Sequence, residues 1–332
     1  MSAVILLPAS FAILLAGALV FTNAIEWFGS KLGFGQGAVG SLFAAVATAL
    51  PESLIPVVAI VGGGAGSEEV AIGAIIGAPL LLATIAMALV GLAALLYRAR
   101  RPQGLAIVVH LPTLTRDLGF FVAALSVALL LGLGAPQPLQ LAGAVALVVA
   151  YGAYVRWTLR HSGPVSEEDE IRPLILDTTR NDPPSMTTVV IQLLVALGAI
   201  VGGAHLFVEQ VLHVAESAGV EPLVLALVLA PFATELPEKA NSFFWVRDAK
   251  DQLALGNITG AMVFQSTLPV AIGLAFTDWE LETYAVLAGG LALLGGIVAI
   301  TTLRRRQRFS GWAILLWALL YTLFVGYVVV TA

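Results

Sequence analysis

Long apolar blocks separated by short polar connections are the main pattern along this chain. Most blocks approach the roughly 20 residues that a helix needs to cross a bilayer. The pattern predicts an all-α polytopic membrane protein with ten transmembrane helices. These helices cover residues 3–25, 38–61, 70–97, 118–133, 139–159, 187–211, 222–246, 253–276, 284–303 and 312–330.

Connections that carry Lys or Arg alternate along the chain with connections that carry neither. With the N-terminus outside, every Lys and Arg except Lys239 falls in a connection on the inner side. The outer connections carry Glu68, Glu69, Asp278, Glu280 and Glu282 instead. Because cytoplasmic loops are enriched in Lys and Arg, we expect both termini to lie outside. The lack of a large regulatory insertion favours a prokaryotic inner membrane.

The composition excludes several classes of protein. Hydrophobic residues make up 59% of the chain and charged residues 11%, whereas a soluble domain has about 25% charged residues. A net charge of −5 argues against a nucleic-acid binder that relies on bulk positive charge. There is no cysteine, which excludes disulfides and thiolate metal sites. We expect no cofactor, and only the lipid bilayer and inorganic cations as partners, with no protein partner evident.

The longest connection lies between the fifth and sixth predicted helices. It divides the chain into a first half at residues 1–160, a linker at 161–186 and a second half at 187–332. The linker contains the acidic run Glu167 to Glu170, which is interpreted as a solvated loop or, alternatively, as a regulatory cation site. Because five is an odd number, the second half would enter the membrane inverted.

The two halves share a short sequence motif. Ala-Thr-Ala-Leu-Pro-Glu at residues 47–52 matches Ala-Thr-Glu-Leu-Pro-Glu at residues 233–238, apart from one position. A Gly-x-x-x-Gly segment follows each copy, at residues 73–77 and 256–260. Inverted repeats with interrupted helices in matching places are typical of transporters that bind substrate near the middle of the membrane.

Each motif places oxygen atoms around a proline. Pro51 and Pro237 cannot donate a helical hydrogen bond, so we expect helices two and seven to be broken there. Each break would free a backbone carbonyl four residues earlier, next to a Thr and a Glu that share one helix face. The candidate metal ligands are Ala47, Thr48, Glu52, Ala233, Thr234 and Glu238, with Glu235 nearby. A set of six oxygens suits a hard cation such as Ca²⁺.

The paired motifs, each followed by a Gly-x-x-x-Gly helix, resemble the α-repeats of the cation/calcium antiporter superfamily, and in particular those of sodium/calcium exchangers. The resemblance implies a fold of two inverted five-helix repeats and transport by alternating access. It also implies that Glu52 and Glu238 bind Ca²⁺, with Thr48, Thr234 and the motif carbonyls as further ligands.

Some positions differ from the family pattern. The residues after the motif threonines are Ala49 and Glu235, where sodium/calcium exchangers usually have Ser. In the following helix of the second half, Asn257 matches the family, whereas Gln265 stands where Asn or Asp is usual. The driving ion therefore stays open between Na⁺ and H⁺.

Lys239 directly follows Glu238 inside a hydrophobic block. Ionised Glu52, Glu235 and Glu238 together with Lys239 would sum to a net charge of −2, which balances one divalent cation. Alternatively, Lys239 pairs with Glu235 or Glu238 in the empty site and is displaced by substrate or a proton. The residues assigned to proton or charge coupling are Lys239, Glu235, Gln265 and Asn257.

The sequence thus predicts a secondary-active antiporter that exchanges Ca²⁺ or a similar cation for Na⁺ or H⁺. Two alternatives in the same fold are a Na⁺/H⁺ exchanger and a cation channel. A membrane-embedded enzyme is disfavoured, because the chain has no HExxH motif and no nucleophile–base pair.

Overall fold

The computed structural model describes residues 3–32, 52–161, 172–177, 183–306 and 308–331. The predicted features at Ala47, Thr48, Pro51 and the acidic run 167–170 lie outside these ranges. The helices are α1 Ala3–Lys31, α2 Glu52–Gly62, α3 Ser67–Leu81, α4 Met87–Leu96, α5 Leu111–Leu131, α6 Gln137–His161, α7 Met186–Ala218, α8 Pro222–Thr234, α9 Leu236–Arg247, α10 Asp251–Gln265, α11 Leu268–Phe276, α12 Thr283–Arg306 and α13 Gly311–Thr331.

Within the described residues, 8 helices are long and apolar enough to cross a membrane. They are Ile5–Lys31, Ser67–Leu96, Leu111–Leu131, Gln137–Thr158, Met186–Ala218, Asp251–Phe276, Thr283–Arg306 and Gly311–Thr331. The other two predicted segments contain the shorter apolar helices α2 and α8. The all-helical membrane architecture follows the sequence prediction, whereas the count of ten helices stays a prediction.

The start of α5 differs from the prediction by about two turns. The helix begins at Leu111 instead of residue 118, with Pro112 in its first turn, where a proline suits the helical backbone. Arg116 and Asp117 are therefore helical residues and not part of the preceding connection. They are tolerated there because Arg116 donates to the Asp117 carboxylate at 2.6 Å.

Two helical segments of the second half are interrupted. One interruption separates α8 from α9 at Glu235, two residues before Pro237. The other, which we did not predict, separates α10 from α11 at Ser266 and Thr267. In this second interruption both hydroxyls donate to the carbonyl of Val263, at 3.1 and 2.8 Å. These bonds satisfy a carbonyl near the helix end, where intrahelical partners are lacking.

The helices pack around a central layer formed by α3, α8 and α10. Nearly every residue of α3 is buried, and α3 contacts α8 closely along its length. Gly73 and Gly77 permit this approach, because a Cβ at Gly73 would lie 2.6 Å from the carbonyl oxygen of Leu223 and one at Gly77 would touch the carbonyl of Leu227. Small residues at such interfaces are typical of membrane helix pairs.

The remaining helices flank this layer. Helices α1 and α7 form the most extensive pair among the described elements, while α5 packs on α12 and α6 on α11. Helix α13 packs against α4 and α12. Helices α1 and α6 leave much of their apolar surface exposed, which is typical of contact with lipid.

The connections meet at two opposite faces of the helix bundle. We call the face formed by residues 97–110, 248–250 and 308–310 the basic face. There, the backbone N–H of His110 donates to the Gln252 side chain at 2.8 Å, and Ala106 pairs with Arg308 in an antiparallel bridge.

The opposite face is formed by residues 63–66, 132–136, 219–221 and 277–282, and we call it the acidic face. The backbone N–H of Leu281 donates to the Gly132 carbonyl at 2.9 Å, and Gln140 donates to the Asp278 carbonyl at 3.1 Å. Both faces therefore tie the first half of the chain to the second.

One described stretch of the linker, residues 172–177, is bound to α1 and α7. Asn23 and Trp27 of α1 donate to the carbonyl of Arg172 at 3.1 and 2.9 Å. The N–H of Leu176 donates to the Gln192 side chain of α7 at 2.7 Å, and Leu174 is buried between these helices and its neighbours. This stretch of the linker is thus packed against the protein.

Candidate cation site

Two buried carboxylates within the helix bundle are bridged by a single amide group. The Nε2 of Gln265 donates to Glu52 Oε2 at 2.5 Å and to Glu235 Oε1 at 3.0 Å. The three side chains are nearly inaccessible, with exposures of 8% for Glu52, 0% for Glu235 and 1% for Gln265. The bridge brings together α2 from the first half and two helix ends from the second half.

The local backbone explains why polar groups meet here. Glu235 occupies the interruption between α8 and α9, and Gln265 is the last residue of α10 before the second interruption. Helix ends leave backbone N–H and C=O groups without intrahelical partners, so they favour polar surroundings. Buried carboxylates at such depth are costly and usually functional, with an insertion penalty of about 2.5–3.5 kcal/mol.

Lys239 completes this cluster from α9. Its Nζ lies 3.3 Å from Glu235 Oε2, and neither side chain is exposed to any extent. The two oxygens of Glu235 thus face different groups, because Oε1 accepts from Gln265 and Oε2 faces the ammonium. The four side chains together carry two negative charges and one positive charge.

Two other predicted residues have contacts of their own. Thr234 is buried, and its hydroxyl donates to the Ala230 carbonyl of the same helix at 3.1 Å. Asn257 donates to the Ser242 hydroxyl at 3.4 Å, between α10 and α9. Asn257 precedes Gln265 by two turns of α10, so it lies closer to the basic face than the bridged carboxylates do.

The remaining predicted ligands are known only in part. Pro237 lies in the first turn of α9 and has no N–H to offer the Ala233 carbonyl. The side chain of Glu238 lies outside the described part of the chain, as do Ala47 and Thr48. Where the chain is described, no three acidic or histidine side chains converge on a point where a metal ion could bind.

A second buried polar cluster was missed by the sequence interpretation. Asp117 of α5 accepts hydrogen bonds from Arg116, from the Tyr154 hydroxyl of α6 at 3.0 Å and from Thr259 of α10 at 3.3 Å. Arg116 also lies over the ring of Trp157, with 4.2 Å between its Cζ and the ring centroid. An Arg-Asp pair beside an apolar block was the available signal, but it was assigned to a connection.

The family of the chain is established by comparison with known proteins. A family described as sodium/calcium exchanger protein matches residues 2–160 and 188–330, which is most of the chain. The chain belongs to this sodium/calcium exchanger family. The resemblance inferred from the paired motifs is thereby confirmed, and the family to which the chain belongs consists of membrane transporters and not of enzymes.

Two curated relatives match part of this sodium/calcium exchanger family member. The putative antiporter CaxA of Alkalimonas amylolytica is 29% identical over 164 residues, which cover 47% of this chain and 50% of that protein. An uncharacterised membrane protein of Methanocaldococcus jannaschii, MJ0091, is 25% identical over 138 residues, or 42% of this chain and 43% of that one. The matches thus span half or less of the length of these relatives.

Solved structures share the fold. The crystal structure of the H⁺/Ca²⁺ exchanger CAX gives a TM-score of 0.74 at 19% identity, covering 100% of this chain and 87% of that one. The sodium-calcium exchanger NCX_Mj, soaked with Na⁺ and Sr²⁺, gives a TM-score of 0.59 at 19% identity, covering 98% of each chain. Native YfkE gives 0.66 at 13% identity, covering 99% of this chain and 100% of that one.

Proposed function

We propose that this protein is a secondary-active antiporter that exchanges Ca²⁺ or a similar hard cation for Na⁺ or H⁺ by alternating access. The observation that carries the proposal is the pair of buried carboxylates, Glu52 and Glu235, bridged by Gln265 inside the membrane-spanning region. Membership of the sodium/calcium exchanger family supports the same activity.

The bridged pair has the chemistry of a cation site. Two carboxylates within reach of one amide repel each other unless donors or a cation lie between them. In this structure the amide hydrogens of Gln265 take that place. A bound hard cation would be coordinated directly by the carboxylate oxygens. Rotation of the Gln265 amide would turn its oxygen towards the cation as a further ligand. Gln265 would then contact the cation in the loaded site and bridge the acids in the empty one.

Further ligands would come from both sequence motifs. We assign the Ala233 carbonyl, Thr234 and Glu238 to the cation site in the second half, and Ala47 and Thr48 in the first. Pro237 would interrupt its helix and leave the Ala233 carbonyl available, and Pro51 would do the same for Ala47. Glu235 and Lys239 adjust the charge of the site.

The site would lie between two inverted repeats, residues 1–160 and 187–332, joined by the linker 161–186. The packing supports this arrangement, because contacts occur in related pairs. Helix α3 contacts α12 as α10 contacts α5, and α4 contacts α13 as α11 contacts α6. Ten spans result when α2 counts as one span and α8 with α9 as another.

We place the basic face in the cytoplasm of a prokaryotic cell and both termini outside the inner membrane. The described basic face carries Arg98, Arg100, Arg101, Lys250 and Arg308, whereas the acidic face carries acidic residues such as Asp278 and Glu280. The enrichment of Lys and Arg in cytoplasmic loops supports this orientation.

The decisive experiment is uptake of ⁴⁵Ca²⁺ into proteoliposomes with an outward Na⁺ gradient in one set and an outward H⁺ gradient in another. We expect uptake under at least one gradient and none with Glu52→Gln. Glu216→Gln, an exposed position of α7, is the matched control and should transport normally. Uptake that does not depend on a counter-ion would indicate a channel and contradict the proposal.

Na⁺/H⁺ exchange in the same site is the second candidate. It is favoured by the Lys239–Glu235 contact, because the four described side chains carry a net charge of −1, which one monovalent cation balances. If ⁴⁵Ca²⁺ uptake is absent under both gradients, uptake of ²²Na⁺ driven by an outward H⁺ gradient should be present and should be lost in Glu52→Gln.

A further inference from the structure

Glu235 contacts two other side chains of the cluster. Its Oε1 accepts a hydrogen bond from Gln265 at 3.0 Å, and its Oε2 lies 3.3 Å from the ammonium of Lys239. Both members of this ion pair have side-chain exposures of 0%. In this structure the position beside Glu235 that a mobile cation could occupy is thus filled by a positive charge that belongs to the protein.

We propose that the Lys239 ammonium is a built-in substitute for one exchanged cation, anchored on Glu235, and that it removes the need for Na⁺. This inference rests on the proposed cation antiport. The ammonium carries the same charge as Na⁺ and fills the same position on the carboxylate. It cannot leave, however, because it is attached to α9.

The ion pair is coupled to the rest of the site through one residue. Gln265 contacts Glu235 with the same amide nitrogen that contacts Glu52. A change in the charge or position of either acid therefore alters the hydrogen bond to the other. Lys239 therefore adjusts a site that includes Glu52. It offsets the charge of Glu235 and so lowers the net negative charge of the cluster that a mobile cation would meet.

The role of the Lys239 charge can be tested by measuring Na⁺ binding after substitution. Replacing Lys239 by a neutral residue leaves the Glu235 carboxylate buried without its ammonium, and a small cation such as Na⁺ can then take that place. Replacing Lys239 and Glu235 together removes one charge of each sign and restores the original balance. Na⁺ should therefore bind only to the single variant.

The test compares wild type, Lys239→Met, Lys239→Arg and the double variant Lys239→Met/Glu235→Gln. Thermal unfolding of each full-length protein is measured in detergent, in NaCl and in choline chloride at equal ionic strength. We expect NaCl to raise the Tm of Lys239→Met by about 2–4 °C over choline chloride. The other three proteins should give the same Tm in both salts. An equal response to Na⁺ in all four proteins would overturn the inference.

Transport provides a second readout, and its wild-type arm does not require the single variant to fold. Wild-type uptake of ⁴⁵Ca²⁺ should depend on an H⁺ gradient and should be unaffected by a Na⁺ gradient. In Lys239→Met, external Na⁺ should raise the Ca²⁺ concentration needed for half-maximal uptake by roughly 5- to 150-fold, the usual range for linked binding, whereas in wild type it should not change that concentration. Wild-type uptake driven by Na⁺ would contradict the inference while leaving cation antiport intact. No cation uptake by wild type at all would instead contradict the proposed function.

Discussion

Two buried ion pairs in this protein are built in different ways. Arg101 and Asp251 meet at the basic face, where the Nη2 atom lies 2.7 and 2.6 Å from the two carboxylate oxygens. The N–H of Val108 and the amide of Gln103 also donate to this carboxylate, at 2.9 and 3.2 Å. In the other pair, Lys239 Nζ lies 3.3 Å from Glu235 Oε2 deep in the bundle.

The difference indicates two different roles. The Asp251 carboxylate accepts from several short donors, one of them a guanidinium, and it ties the connection 97–110 to α10. The Glu235 carboxylate shares its amide donor with another acid, Glu52, so negative charge exceeds positive charge in that cluster. Loss of one partner of a buried ion pair destabilises a fold, whereas a cluster with excess negative charge can bind and release a cation.

The largest effect on stability is expected from Asp251→Asn. This change leaves the Arg101 guanidinium buried without its counter-ion, and removal of one partner of a buried ion pair costs about 3–5 kcal/mol. The measurement is the free energy of unfolding in detergent from chemical denaturation. Asp248→Asn is the matched control, because Asp248 pairs with Arg247 at a site where the two side chains are 49% and 41% exposed. A similar loss in both variants would mean that Asp251 has no special structural role.

A smaller loss of stability is expected from Gln265→Leu, which removes both donors from the bridged acids. Hydrogen bonds to charged groups contribute about 1.5–3 kcal/mol, so a loss of that size is expected in cation-free buffer. Added Ca²⁺ should reduce this loss, because a cation can take over the bridge between the carboxylates. If Ca²⁺ stabilises wild type and variant equally, the amide and the cation do not share a position.

Removing a minor donor of the Arg101–Asp251 pair should have a modest effect. Gln103→Ala deletes one hydrogen bond to Asp251 while the contacts from Arg101 and Val108 remain. We expect a loss of about 1 kcal/mol in the free energy of unfolding and unchanged ⁴⁵Ca²⁺ uptake. A clear decrease in uptake would show that the pair at the basic face takes part in transport.

The smallest effect on stability is expected from Glu52→Gln, which nevertheless should stop transport. The substitution keeps an acceptor for Gln265 and removes one of two neighbouring buried charges, so the free energy of unfolding should stay equal or rise slightly. Cation uptake should fall to the level of empty liposomes. A variant that unfolds readily and a variant that transports normally would each contradict the role assigned to Glu52.

Much of the fold could be predicted because apolar blocks of sufficient length specify membrane helices by themselves. The helix ends were harder to predict, since polar residues near an apolar block can belong to the helix or to the connection. Arg116 and Asp117 show this difficulty: they are helical because Asp117 finds partners on α6 and α10. Those partners are distant in sequence, and the pattern around residue 117 contains no sign of them.

For the candidate site, the sequence named the polar residues but not their pairing. Glu52, Glu235, Lys239 and Gln265 stand out as polar groups in apolar blocks, and the motif drew attention to the first two. Whether Lys239 contacts Glu235 or Glu238 depends on how α9 leaves the interruption, which residue spacing does not determine. The bridge by Gln265 likewise needs the end of α10 to reach α2, which is a matter of tertiary packing.

The π turn at Leu82–Ala86 joins α3 and α4 into one helix of 30 residues, Ser67–Leu96. A π turn accommodates an extra residue, and each residue rotates a helix by about 100°. Gly73 and Gly77 face α8 on one side of this turn, whereas Gly91 meets Ile314 of α13 on the other. Deleting one residue from the turn would barely change the length of the helix, but it would rotate one glycine surface away from its partner. The π turn therefore sets the rotational phase between two helix contacts that the chain must satisfy at once.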